Sequence, residues 1–116
     1  MNNENVIIKL TFEFALKIIS YCEILDGLKK WKLSAQLFKA GTSIGANSNE
    51  AQNAESPADF IHKFKIAAKE ANETEFWLRL CQSSKSLPDS EELLSDLLPI
   101  QKIINQIITT TKNKGK

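Results

Sequence analysis

The sequence predicts an all-α protein, an antiparallel up-down four-helix bundle, and three observations carry that prediction. Apolar residues recur at alternating spacings of three and four in four separate stretches, which puts each set on one helical face. Capping residues and prolines fall between those stretches. Four glycines and three prolines in 116 residues leave little material for a turn-rich β fold. A chain of this size builds one core and not two. Residues 1–116 therefore read as one domain, with a flexible arm over about 1–10 and a frayed basic tail over about 111–116.

The first helix is expected from Thr11, whose hydroxyl suits an orphan amide, to about Leu28, with Asn5 to Leu10 as an extended arm or early turn. Its apolar face is Ala15, Ile18, Ile19, Cys22 and Leu25, and Asp26-Gly27 with Lys29, Lys30 and Lys32 marks its end. Cations there suit the negative end of the helix dipole. The second helix carries Leu33, Leu37, Ala40, Ile44, Asn47, Ala51 and Ala54 on one stripe, with Ser34 as its candidate cap. Gly41 and Gly45 lie beside that stripe. Each costs about 1 kcal/mol of helix propensity relative to alanine, which close approach of a neighbouring helix would offset. Without a Gly-Lys-Ser/Thr ending or a preceding strand they do not make a phosphate loop.

Ser56-Pro57-Ala58-Asp59 is a capped helix start with proline at the first position. The third helix then repeats Phe60, Phe64, Ala67, Ala71, Thr74, Leu78 and Cys81 to about Ser83. A polar stretch and Pro88 end it, and Asp89-Ser90-Glu91-Glu92 starts a fourth with Leu93, Leu97, Ile100, Ile104, Ile107 and Thr111 on its face. Pro99 lies within that last helix, so a kink or break is expected near Ser95.

Composition and spacing point away from an enzyme. His62 is the sole histidine, too few for the Glu-x-x-His pairs of a di-iron bundle, and no nucleophile pairs with a base and an orienting acid. Glu70, Glu73, Glu75, Lys69 and Arg79 form a dense ionic patch, with Glu75 and Arg79 at the favourable four-residue spacing. Cys22 and Cys81 lack the close spacing of zinc or redox pairs and are expected as reduced core thiols in the cytoplasm. No catalytic, metal or cofactor residues are assigned. Neither a secretion signal nor a membrane span is indicated.

Three constellations remain. Asn47 occupies an apolar-stripe position and is expected to be substantially buried, with Glu50 one turn on joining the same polar motif through a lysine or backbone group of the third helix. Lys29, Lys30 and Lys32 with Trp31, and Lys112, Lys114 and Lys116 at the tail, are candidate nucleic-acid contacts, since a basic loop with an aromatic can hold phosphate and stack a base. Fifteen basic against fourteen acidic side chains give a net charge of +1, so no global positive field adds to them. Finally, Phe76 and Leu80 point away from the third helix's core face, with Ile66 and Trp77 to one side. One core cannot cover both faces, so these four are the candidate oligomer interface.

The run Leu33 to Asn47, reading LSAQLFKAGTSIGAN, resembles the second helix of the bacterial four-helix-bundle family encoded by intervening sequences inside 23S rRNA genes. Glu50-Ala51-Gln52, then Ala58 to Ala67, Lys69-Glu70-Ala71, Glu73-Thr74 and Trp77 to Leu80 extend the likeness over nearly the whole chain. The resemblance implies a bundle that assembles into a ring, commonly a pentamer, and some relatives carry a ribosomal-protein label. A related group serves as accessory proteins of diversity-generating retroelements, in which a basic pentamer engages reverse transcriptase and nucleic acid; the near-neutral charge here departs from that pattern. The resemblance supplies no catalytic residues, and Asn47 and Glu50 match its polar motif as structural positions.

The expected function is a non-enzymatic, homo-oligomeric assembly module that engages another macromolecule, RNA or a ribonucleoprotein among the candidates. The alternatives are direct nucleic-acid binding through the lysine clusters, and a small-ligand protein or enzyme built on the Asn47 and Glu50 region.

Overall fold

The computed structural model describes residues 2–114, which form four helices in chain order: α1 (Asn3–Gly27), α2 (Trp31–Ala51), α3 (Pro57–Ser83) and α4 (Glu91–Lys114). Among the described residues there is no strand. Each helix packs on its sequence neighbour and α1 packs on α4, while the backbones of the diagonal pairs α1–α3 and α2–α4 stay apart. Neighbours run antiparallel: Asn3 reaches Gln106, Lys17 reaches Glu92 and Asp96, Lys63 reaches Glu50, and Gln101 reaches Glu75. The result is an up-down bundle of 50 × 21 × 21 Å.

The expected arm is helical. Asn2 is the N-cap, its side chain accepting from the Asn5 amide at 2.9 Å. Ile7, Thr11, Phe14, Ile18, Cys22 and Leu25 make the buried stripe, so the four-and-three period already begins at Ile7. Thr11 is consequently an interior residue and not a cap, its hydroxyl donating to the Ile7 carbonyl at 2.7 Å. Ala15 is half-buried and Ile19 exposed, because the core stripe runs through Phe14 and Ile18. At the helix end Lys29, not Gly27, takes the left-handed conformation, with φ of 62°. The amides of Leu28 and Lys30 then close on the Ile24 and Leu25 carbonyls.

The second helix begins three residues before Ser34 and has no side-chain cap. Ser34 is buried, donating to the Cys22 carbonyl at 3.2 Å while the Cys22 thiol faces the Ser34 carbonyl. Gly41 and Gly45 provide the expected close approach. A methyl group at Gly41 would lie 2.8 Å from Cγ1 of Ile18, and one at Gly45 would lie 3.3 Å from the Thr11 side chain and carbonyl oxygen. Ser34, Gly41, Gly45 and Ser48 thus form a row of small buried residues facing α1. That row rotates the helix so that Ser48, not Asn47, is the fully buried polar residue. Ala54 lies beyond the helix end, half-buried.

Both later helices follow their predicted stripes. Ser56 caps α3 by accepting from the Asp59 amide at 3.1 Å, and Phe64, Ala67, Ala71, Thr74, Leu78 and Cys81 are buried. The Asp89 carboxylate accepts from the Glu91 amide at the start of α4, and Leu93, Leu97, Ile100, Ile104 and Ile107 are buried. Of the kink or break expected near Ser95, the break does not occur: α4 runs as one helix through Pro99. Ser95 and Pro99 both face solvent, where water can satisfy the carbonyl freed by the missing amide. Thr111 to Lys114 are helical rather than frayed, the Thr111 hydroxyl donating to the Ile107 carbonyl at 2.7 Å. Lys112 and Lys114 suit the negative end of this helix; Lys116, the last residue of the candidate basic tail, lies outside the described residues.

Gly41→Ala is expected to destabilise the bundle by about 1–2 kcal/mol, because crowding against Ile18 exceeds the roughly 1 kcal/mol gained in helix propensity. Urea denaturation followed by circular dichroism measures it, and a stabilised variant would show that α1 yields freely.

Candidate functional site

The polar motif straddles the margin of the core. Asn47 is half-buried, and its side-chain amide donates to the Ser43 carbonyl of its own helix at 2.9 Å. Glu50 is exposed and pairs with Lys63 of α3 at 3.4 Å, the cross-helix lysine contact that its spacing suggested. Asn47 is buried only in part, because Ile44 and Ala51 leave two positions between them that can face inward, and the small-residue row takes Ser48 fully inside. Neither Asn47 nor Glu50 lines the open hollow of about 680 Å³ at the bundle end, which Asn3, Gln52, Glu55, Phe60, Ile107 and Lys114 help to form.

Acid–base chemistry finds little purchase. His62 is exposed on α3, and among the described residues no group of three or more His, Cys, Asp or Glu could hold a metal ion. Glu75 pairs with Arg79 at 3.4 Å and accepts from Gln101 at 3.0 Å, as part of an interhelical polar surface. Lys17 is held above the usual lysine range by its hydrogen bonds to Asp96 and Glu92. Burial raises both thiols, Cys22 and Cys81, which keeps them protonated and non-nucleophilic. Burial also raises the Tyr21 phenol, whose hydroxyl donates to the Pro88 carbonyl at 2.6 Å and ties α1 to the α3–α4 connection. Among the described residues no helix is long and apolar enough to cross a membrane.

The lysine loop is presented openly. Trp31 is 59% exposed, and Lys29, Lys30 and Lys32 beside it are exposed and, among the described residues, not ion-paired. Lys112 and Lys114 are exposed at the opposite end of the bundle, so the structure does not bring the two basic clusters together.

The outer face of α3 is apolar. Phe76 is 55% and Leu80 44% exposed, while Ile66 and Trp77 are half-buried to one side. Trp77 packs edge-on against Phe76 with ring centroids 5.3 Å apart. Its indole N–H is buried and, among the described residues, has no hydrogen-bond partner.

Sequence reasoning missed a second apolar face. Phe12, Leu16 and Ile19 are exposed on α1, as is Phe38 on α2. The first three recur at spacings of four and three and fall within about 60° of one another on the helix. That periodicity is present in the sequence, but assigning Ile19 inward merges it with the core stripe.

The family model described as 23S rRNA-intervening sequence protein matches residues 3–106, which takes in all of α1, α2 and α3 and most of α4. The chain belongs to the 23S rRNA-intervening sequence protein family. A solved structure from Bacteroides thetaiotaomicron, a protein of unknown function from the S23 ribosomal protein family, is 40% identical with a TM-score of 0.88. The alignment covers 93% of this chain and 99% of that one. No curated protein matches the chain.

Burial of both thiols leads to a further expectation. At neutral pH neither Cys22 nor Cys81 should react appreciably with a thiol reagent such as DTNB until denaturant is added, when both should titrate. Rapid reaction of either in the folded protein would contradict the packing described.

Proposed function

We propose that this chain is a non-enzymatic assembly module, a homo-oligomeric four-helix bundle whose surface engages another macromolecule, RNA or a ribonucleoprotein. The observation that carries the reading is the outer face of α3, where Phe76 and Leu80 stand in solvent with Ile66 and Trp77 beside them. Large apolar side chains grouped on one face mark an interaction surface. The family resemblance supports a ring, with five copies as its commonest number. The reading locates the protein in the cytoplasm, the compartment in which thiols such as Cys22 and Cys81 stay reduced. Light scattering coupled to size-exclusion chromatography tests it: the wild type should elute as a multiple of one chain, and Phe76→Glu or Leu80→Glu should disperse it without loss of helix. A wild type that runs as a single chain at micromolar concentration would exclude assembly.

The exposed Trp31 among Lys29, Lys30 and Lys32 supports a second reading, direct contact with nucleic acid. A net charge of +1 leaves only local lysines to neutralise phosphate, so binding should be weak and fall steeply with salt. Filter binding over a salt series is the measurement. Reversing Lys30 and Lys32 should abolish the signal, whereas nanomolar affinity at physiological salt with preference for one RNA would make nucleic-acid recognition the primary role.

A further inference from the structure

We infer that the hollow at the end of the bundle binds a small zwitterion with an apolar side chain, a free hydrophobic amino acid or a dipeptide. The hollow opens where α1 and α3 begin and α2 and α4 end, so all four helix ends contribute to its wall. Its volume of about 680 Å³ lies in the range of small-molecule sites, about 300–1,000 Å³. Phe76 and Leu80 lie in the second half of α3, toward the opposite end, so this site stands or falls apart from assembly.

The floor is apolar and held in place. Phe60, half-buried, lines the hollow, and its ring is tilted against that of Phe64 with centroids 5.0 Å apart. Phe64 is fully buried, so the Phe60 ring is backed by the core. Ala51 and Ile107, also buried, line the hollow beside it. An apolar side chain seated on these residues leaves water, which is the main favourable term for such a ligand.

Charge divides the rim. Glu4 on α1 and Glu55 just after α2 supply carboxylates. Beside them the Asn3 side-chain nitrogen donates to Gln106 at 3.5 Å and that of Gln52 to the Ser48 carbonyl at 3.2 Å, which leaves both amide oxygens as acceptors. Among the described residues of the rim the cation is Lys114, at the end of α4, whose backbone is diagonal to that of α2. Glu4, Glu55 and Lys114 are not ion-paired among the described residues. The acceptors therefore suit an ammonium group, and Lys114 suits a carboxylate on the other side of the hollow. A plain anion would face two carboxylates and a plain cation would face Lys114, whereas a zwitterion meets both, and the apolar floor selects its side chain.

Saturation-transfer difference NMR on the full-length protein tests this, with L-phenylalanine as the probe and with phenethylamine and 3-phenylpropionate as analogues that lack the carboxylate and the ammonium. L-Phenylalanine should bind saturably in the millimolar range, its ring protons receiving the strongest transfer, and each analogue should bind about three- to tenfold more weakly. Lys114→Ala should weaken L-phenylalanine and 3-phenylpropionate and leave phenethylamine unchanged. The double substitution Glu4→Gln/Glu55→Gln should weaken L-phenylalanine and phenethylamine and leave 3-phenylpropionate no weaker. Both variants alter side chains outside the core, and circular dichroism confirms that helix content is kept. Phe76→Glu, which probes assembly, should leave L-phenylalanine binding unchanged, so failure of one reading is told apart from failure of the other. Absence of saturable transfer at millimolar L-phenylalanine would overturn the inference. Binding that ignores both sets of charge substitutions, or analogues that bind as well as L-phenylalanine, would overturn it too.

Discussion

The close approach of α1 to α2 is the constraint from which the rest of the bundle follows. Glycine at positions 41 and 45 brings the α2 backbone against Ile18 and Thr11, nearer than any residue with a Cβ permits without displacement. The helix-propensity penalty of two glycines is offset by dispersion attraction along the seam. Rotation of α2 is fixed by the same row, which places Ser34 and Ser48 inside and Asn47 at the margin. With α2 so oriented, Leu37, Ala40, Ile44 and Ala51 complete the core side of the helix, and Phe38 is left outside.

Buried hydroxyls are satisfied either within their own helix or by a bond to another element. Thr11, Ser48 and Thr74 each donate to the carbonyl four residues earlier, so the hydroxyl is satisfied without a partner on another helix. Three others tie separate elements together: Ser34 to the Cys22 carbonyl, Tyr21 to the Pro88 carbonyl, and Ser90 to the Leu78 carbonyl at 2.7 Å. The core consequently needs no buried charge, and its specificity comes from shape. The Trp77 indole, which has no partner among the described residues, stands apart from this pattern, beside exposed Phe76.

Much of this is legible in the sequence because long helices repeat their signals. The stripes of α3 and α4 emerge correctly from spacing alone, since many consecutive turns support the same phase and Ser56-Pro57 fixes one boundary. Errors arise where two phases compete. In α1 a second apolar stripe draws Ile19 inward and hides the start at Ile7. In α2 serine and glycine carry little hydropathy, so a row of small residues that determines the rotation is outweighed by the apolar set next to it. Pro99 reads as a break from its chemistry, but its cost depends on whether the orphaned carbonyl reaches water, which only the packing reveals. The exposed α3 face is legible because Phe76 and Leu80 are too large and too far from the core phase to be absorbed by it.

The up-down order of the helices also sets a sequence of events in time. Helices adjacent in the chain pack on one another, with α1 closing on α4 as the exception, and bundles with such local wiring fold in microseconds to milliseconds. Encounter between two chains at micromolar concentration takes about 0.1–10 s at ordinary association rates of roughly 10⁵–10⁷ M⁻¹s⁻¹. A newly made chain therefore finishes its core long before it encounters another, with Phe12, Leu16, Phe76 and Leu80 exposed to water. During that interval the protection against indiscriminate sticking is the charge interspersed among those side chains, which makes Glu13, Glu23, Lys65 and Lys69 as relevant to the fate of the nascent chain as the apolar residues they surround.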